Sequence, residues 1–138
     1  MTTGKISGTA GKPPSLRVLI VDDEALIRWS LAETLGDGGH LVTEAGDGAT
    51  AIRALTKGDD PFDVVLLDYH LPDFNDLSLL STIRRVAPNA AVIMMTAFGT
   101  PEMSDGALRL GAYQVVPKPF EVHNMADLVL EAHDARTS

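Results

Sequence analysis

Five polar residues in this chain could do chemistry, and each lies where a predicted strand finishes. Val18 to Val21 ends on Asp22 and Asp23, Val64 to Leu67 on Asp68, Ala91 to Met95 on Thr96, and Tyr113 to Val116 on Pro117 and Lys118. Apolar runs of this length, rich in β-branched residues, read as strands buried on both faces inside a parallel sheet. In such a sheet the carboxyl ends share one edge, which is where open α/β sheets bind ligands. Three carboxylates gathered there repel one another, and a hard cation relieves the repulsion. Oxygen donors with no histidine or cysteine among them favour Mg²⁺, or Mn²⁺, which keeps several waters and accepts a phosphoryl oxygen. Asp22, Asp23 and Asp68 against one divalent ion and the Lys118 ammonium sum to zero, a balance suited to receiving a phosphoryl group. Capping of a following helix would explain one of Asp22 and Asp23, and a solvated strand end would explain Asp68 alone. Neither explains the set.

The segments between these runs read as helices. Ala25 to Leu35 places Ile27, Leu31 and Leu35 on one face, with Asp22, Asp23 and Glu24 at its positive end and Gly36, Gly38 and Gly39 behind it. His40 to Ala45 is a short strand, and a helix from Gly46 or Asp47 runs through Thr56. A third helix is expected from about Asn75 to Val86. A fourth has Thr100 as cap with Pro101 at its first position, and a fifth runs from about Val122 to Ala132. Pro117 cannot donate to a ladder, so the last strand belongs at a sheet edge. Five alternating strand and helix units imply parallel strands joined by right-handed crossovers in a three-layer sandwich.

The whole-chain numbers narrow the classes. A length of 138 residues suits one domain, and 45% hydrophobic with 22% charged residues suits a globular core. No cysteine is present, which excludes disulfides, thiolate metal sites and cysteine nucleophiles. A net charge of −8 disfavours nucleic acid and anionic lipid as direct partners. No apolar run is long enough to span a bilayer, and the reading is a cytoplasmic protein. Residues 1–15 are polar and Gly-rich and read as a disordered leader, 16–135 as the domain, and 136–138 as a tail.

In combination, Val21-Asp22-Asp23-Glu24, Leu67-Asp68 with Leu71-Pro72, Met95-Thr96-Ala97 and Lys118-Pro119-Phe120 resemble the receiver domain of two-component response regulators over roughly Leu16 to His133. The resemblance implies a flavodoxin-like fold with strand order 2-1-3-4-5. It implies Asp68 as the phosphoacceptor, taking a phosphoryl group from a sensor histidine kinase or histidine phosphotransfer protein. Asp22, Asp23, Asp68 and the backbone carbonyl of His70 would hold Mg²⁺, while Thr96, Ala97 and Lys118 would bind the phosphoryl oxygens. It also implies a cis bond between Lys118 and Pro119, and a signalling role in which the domain acts only on its own aspartyl phosphate. The stretches Leu67 to Pro72 and Thr96 to Thr100 are similar to receivers of the nitrogen-regulation type, which precede an ATPase and a DNA-binding domain.

Two positions depart from the family pattern. Thr96 and residue 115 form the family's switch, and the usual aromatic is here Val115. Asp76 stands where a glycine commonly opens the third helix. The surface of the fourth helix, fifth strand and fifth helix is the family's usual place for a homodimer or output contact, with Met103, Leu108, Val122 and Met125 as candidates. Val115 also admits a second reading, a degenerate receiver acting as a phosphorylation-independent interaction module. A flavodoxin would need a phosphate-binding loop where Asp22-Asp23 stand, and a haloacid-dehalogenase-type phosphatase keeps its two aspartates two apart behind one strand. His40, His123 and His133 read as surface residues, Lys57, Arg84 and Arg85 as solvated helix faces, and Trp29 as a packing or kinase-docking residue.

Overall fold

The computed structural model describes residues 14–137. Strand and helix alternate as β1 Arg17–Val21, α1 Ala25–Asp37, β2 Leu41–Ala45, α2 Gly48–Lys57, β3 Val64–Asp68, α3 Ser78–Val86, β4 Ala91–Thr96, α4 Pro101–Arg109, β5 Gln114–Pro117 and α5 Val122–Thr137. All four strand pairings are parallel, and the sheet runs β2-β1-β3-β4-β5, the flavodoxin-like order. β5 lies at an edge, and the Lys118-Pro119 bond is cis.

The all-apolar strands explain the three layers. Successive residues of a strand point to opposite faces. Leu19, Val21, Val65, Leu67, Val92 and Met94 therefore pack one way, against Ala51 of α2, Leu79 and Ile83 of α3 and Ala107 of α4. Val18, Ile20, Val64, Leu66, Ile93 and Met95 pack the other way, against Leu31 and Leu35 of α1 and Met125 and Val129 of α5. Register then levels the strand ends: Val21 lies opposite Ala45 and Leu67, Asp68 opposite Met95, and Thr96 opposite Pro117. The residues that follow emerge on one rim.

Element boundaries differ from the sequence reading in places, each with a local cause. α1 continues through Gly36 to Asp37, and the reversal falls at Gly39, whose φ of 90° suits glycine alone. α3 starts at Ser78 rather than Asn75, because the Asp76 carboxylate accepts both the Ser78 N–H (2.9 Å) and its hydroxyl (2.6 Å). α5 is helical to Thr137, so Arg136 is not a loose tail; its guanidinium donates to the Pro88 carbonyl. Of the expected leader, residues 1–13 lie outside the described residues, and the Ser15 hydroxyl donates to the Gly39 carbonyl (2.7 Å).

Several side-chain assignments also change. His40 is buried, not a surface residue, and its Nδ1 accepts the Leu16 N–H at 3.0 Å just before β1. His133 is half-buried, while His123 is exposed. Arg84 is not a solvated face but a brace, donating to the carbonyls of Ala90 (2.9 Å) and Pro88 (3.3 Å). Trp29 is 59% exposed and is no packing residue. Met103 and Met125 belong to the core, which leaves Leu108 as the exposed member of the four surface candidates and Val122 half-buried.

His40 makes the fold acid-sensitive. Burial lowers its pKa from 6.5, and protonation would remove the acceptor for Leu16. A depressed pKa means that this contribution is complete above about pH 6.5 and is lost as pH falls. Urea unfolding of His40→Ala should show a loss of about 1–3 kcal/mol at neutral pH, with less acid-induced loss remaining than in wild type.

Candidate functional site

The levelled strand ends bring the predicted residues together. One carboxylate oxygen from each of Asp22, Asp23 and Asp68 lies within 4.8 Å of the others. Asp22 is fully buried, Asp68 is 4% exposed and Asp23 is open to solvent. Lys118 reaches the same rim from the end of β5, with Nζ 2.8 Å from Asp22 Oδ2, 3.0 Å from Glu24 Oε1 and 3.4 Å from Asp68 Oδ2. The ammonium therefore rests nearer Asp22 and Glu24 than Asp68.

Backbone links hold these groups in place. Asp22 Oδ1 accepts the Glu24 N–H (2.9 Å), so the aspartate organises the entry to α1 while its other oxygen faces Lys118. Thr96 is buried at the end of β4; its carbonyl accepts the Lys118 N–H (2.8 Å) and its hydroxyl accepts the Phe98 N–H (3.2 Å). The Asp68 carboxylate accepts the His70 N–H at 3.4 Å. Asp23, Asp68, His70, Ala97, Phe98 and Lys118 line a cleft of about 400 Å³. Val115, opposite Met94, is half-buried against the core beneath α4.

Electrostatics single out Asp68. Burial, and after it the charge of Asp22, raise its pKa from 3.8 to about 6, against the opposing pull of Lys118 and the His70 N–H. For Lys118, burial alone would favour loss of the proton. Hydrogen bonds to Asp22 and Glu24 and the charges of Asp68 and Asp22 outweigh it and drive its pKa upward, so the ammonium stays charged. Three crowded carboxylates, two buried and one solvent-facing, match the oxygen-only donor set of a hard divalent ion that retains water.

Two residues escape a reading of the sequence alone. Glu24 adds a fourth carboxylate, so four negative charges against a divalent ion and one ammonium leave an excess of one. Its side chain is 58% exposed, and water screens much of that excess. The signal available was its place directly after Asp22-Asp23, at a strand end where a third acid is not needed for capping. Asp73 is the other: its carboxylate accepts the N–H groups of Gly48 (2.9 Å) and Ala49 (3.0 Å), tying the loop behind Asp68 to the start of α2. Nothing in the spacing announces that contact.

The response regulator receiver domain model matches residues 18–130. The chain belongs to this family. The receiver is 34% identical over 116 residues to the DNA-binding transcriptional regulator NtrC of Bradyrhizobium sp. (strain RP501 Parasponia), covering 84% of this chain and 24% of that protein. It spans about a quarter of the length of the NtrC relatives it matches. It is also 34% identical over 113 residues to sporulation initiation phosphotransferase F of Bacillus subtilis (strain 168), covering 82% of this chain and 90% of that protein. Among solved structures, a CheY-like receiver domain protein from Methanospirillum hungatei JF-1 superposes with a TM-score of 0.83 at 27% identity, covering 90% of this chain and 98% of that one. The beryllofluoride-activated NtrC4 receiver domain dimer superposes with a TM-score of 0.80 at 29% identity, covering 87% and 98%. The receiver is therefore that of a two-component response regulator, with an acidic pocket at the carboxyl rim of its sheet. Among the described residues, no helix is long and apolar enough to cross a membrane.

Proposed function

We propose that the receiver accepts a phosphoryl group on Asp68 from a phosphohistidine of a sensor kinase or histidine phosphotransfer protein. The observation that carries this reading is the meeting of Asp22, Asp23, Asp68 and Lys118 on one rim. Asp68 is the nucleophile, and its carboxylate oxygen takes the phosphorus as the histidine nitrogen leaves. Asp22, Asp23, Asp68 and the His70 carbonyl would hold Mg²⁺, or Mn²⁺, which supplies positive charge for the phosphoryl oxygens. Lys118 is the fixed cation within the cluster, and it moves from Glu24 and Asp22 toward the new charge. The Thr96 hydroxyl and the Ala97 amide serve the remaining oxygens; the hydroxyl can donate to one while still accepting the Phe98 N–H. Phosphoryl transfer asks for positioning and neutralisation more than for an acid or base, and the site offers these. The receiver would act on its own aspartyl phosphate alone.

Partner surfaces follow from exposure. Leu26 and Trp29 stand out from α1, and Leu26 lines a cleft of about 460 Å³ that reaches Ala97, Lys118 and Phe120. A phosphohistidine-bearing protein docked there would reach the acceptor. Leu108, Leu110 and Tyr113 are exposed around α4 and β5, the face proposed for a homodimer or an output domain. The net charge of −8 disfavours direct nucleic-acid contact by this domain.

Incubation with acetyl phosphate or phosphoramidate and Mg²⁺ should add one phosphoryl mass, and a chelator should prevent it. No added mass with the metal present would contradict the reading. Val115 in place of an aromatic favours a second possibility, an interaction module indifferent to phosphorylation. Gel filtration of the same reaction separates the two, since a switching receiver changes its elution on phosphorylation and an indifferent module does not.

A further inference from the structure

Arg28 stands one turn into α1, near the positive end of the helix dipole, where a cation is unfavourable. A fork of contacts with two other segments holds it there. Its Nη1 donates to the Asp22 carbonyl at 2.6 Å, and its Nε donates to Glu44 Oε1 of β2 at 3.2 Å. The side chain is only 21% exposed, and the guanidinium lies against Gly46 in the turn behind β2, where a Cβ would stand 3.4 Å from Nη1. Helical side chains lean toward the amino end, which is how a residue of α1 reaches back over the turn that leaves β1.

Asp22 is thereby held at three points. Its N–H donates to the Ala45 carbonyl (3.0 Å), its Oδ1 accepts the Glu24 N–H (2.9 Å), and its carbonyl accepts Arg28. The first two fix the strand end and the side chain. The third fixes the peptide plane between Asp22 and Asp23, because that carbonyl belongs to it. Asp23 is exposed, and the direction in which it leaves the chain follows from that plane. We propose that Arg28, with Glu44 as its anchor, is a positioning residue that aims Asp23 at Asp22 and Asp68 and so sets the affinity of the acidic cluster for a divalent cation. This inference rests on that cluster being the cation's site. Lys118 meets the carboxylates themselves, whereas Arg28 touches a backbone oxygen and acts through it. Charge alone predicts the reverse effect, since a guanidinium beside a divalent ion repels it and its removal would tighten binding.

The sign of the change therefore decides. The full chain is titrated with Mn²⁺, the free ion being followed by its paramagnetic resonance signal, and Mg²⁺ is then added in competition. Arg28→Met, which keeps bulk and loses the fork, should bind Mn²⁺ about tenfold more weakly than wild type, the order by which partners supporting a metal ligand commonly act. Arg28→Lys keeps the charge but cannot span both acceptors, and its affinity should fall between the two. The Mg²⁺ concentration giving half-maximal phosphoryl uptake from acetyl phosphate should rise by the same factor of about ten, with the maximal rate within about threefold of wild type. Arg28→Met binding Mn²⁺ as tightly as wild type, or more tightly, would overturn the proposal, as would a lower maximal rate with the half-point unmoved. Urea unfolding in chelator shows whether Arg28→Met folds; if it does not, Arg28→Lys carries the comparison, and wild-type affinity in that variant overturns the proposal. If wild type itself binds no Mn²⁺, the metal reading fails and this inference with it; wild-type binding with unaltered variants overturns this inference alone.

Discussion

Asp68→Asn is expected to take up no phosphoryl group from acetyl phosphate and, without divalent metal, to unfold at a higher denaturant concentration than wild type. Loss of uptake follows because the amide is not a nucleophile toward phosphorus. The gain in stability has a separate origin, the cost of a buried carboxylate beside Asp22. Burial first and the Asp22 charge second hold the Asp68 pKa near 6 rather than 3.8, so the folded state binds a proton more tightly than the unfolded chain. A raised carboxylate pKa makes stability greatest at low pH and diminishes it as pH rises through about 6. At neutral pH the penalty is on the order of 3 kcal/mol, with the opposing pull of Lys118 already counted in that pKa. Urea unfolding in chelator should therefore show the variant ahead at about pH 7.5 and the gap closing toward about pH 5. A variant less stable than wild type at neutral pH would mean that Asp68 is held by partners rather than strained by burial.

Lys118→Met should produce the opposite balance. Removing the ammonium leaves Asp22, fully buried, and Asp68, nearly so, without their shared cation. Breaking a buried ion pair by deleting one partner costs about 3–5 kcal/mol, because the remaining charge is stranded. In chelator the variant should lose stability of that order, and Mg²⁺ should restore part of it, since a divalent ion bound by the same carboxylates replaces the missing charge. Phosphoryl uptake should drop by at least about a hundredfold even with Mg²⁺, because loss of one preorganised electrostatic partner commonly costs that much. Unchanged stability in chelator would show that buried Asp22 does not depend on Lys118 for its neutralisation.

Much of this site could be read before any coordinates, for a physical reason that Asp22, Asp68, Thr96 and Lys118 illustrate. Asp22, Asp68 and Thr96 each end an apolar run that is a strand buried on both faces, Lys118 follows the half-buried edge strand β5, and parallel register then places all four on one rim. Strand order and the cis bond before Pro119 followed from the motifs in combination. Contacts that depend on reach rather than on pattern were not legible. Glu24 meets Lys118 across ninety-four positions of chain, and only the bend of the chain entering α1 brings it there. His40 reads from sequence as a surface residue opening the second strand, yet the Leu16 N–H needs an acceptor and the imidazole supplies it. Arg84 lay at a helical spacing that suits solvent, but the turn after α3 offers carbonyls that a guanidinium can satisfy. α3 starts later than the spacing suggests because the Asp76 carboxylate, one residue ahead of the Leu77 cap position, holds the Ser78 N–H and hydroxyl in the turn before the helix.

The receiver's chemistry stands or falls on which side chain carries the phosphorus. Reaction of the acetyl phosphate-treated protein with borohydride, which reduces an acyl phosphate to an alcohol, followed by peptide mapping, locates it directly. The geometry predicts a single reduced residue, at Asp68, appearing only when divalent metal is present. Reduction at Asp22 or Asp23, or a phosphoryl group that resists borohydride because it sits on a histidine or a hydroxyl, would contradict the account.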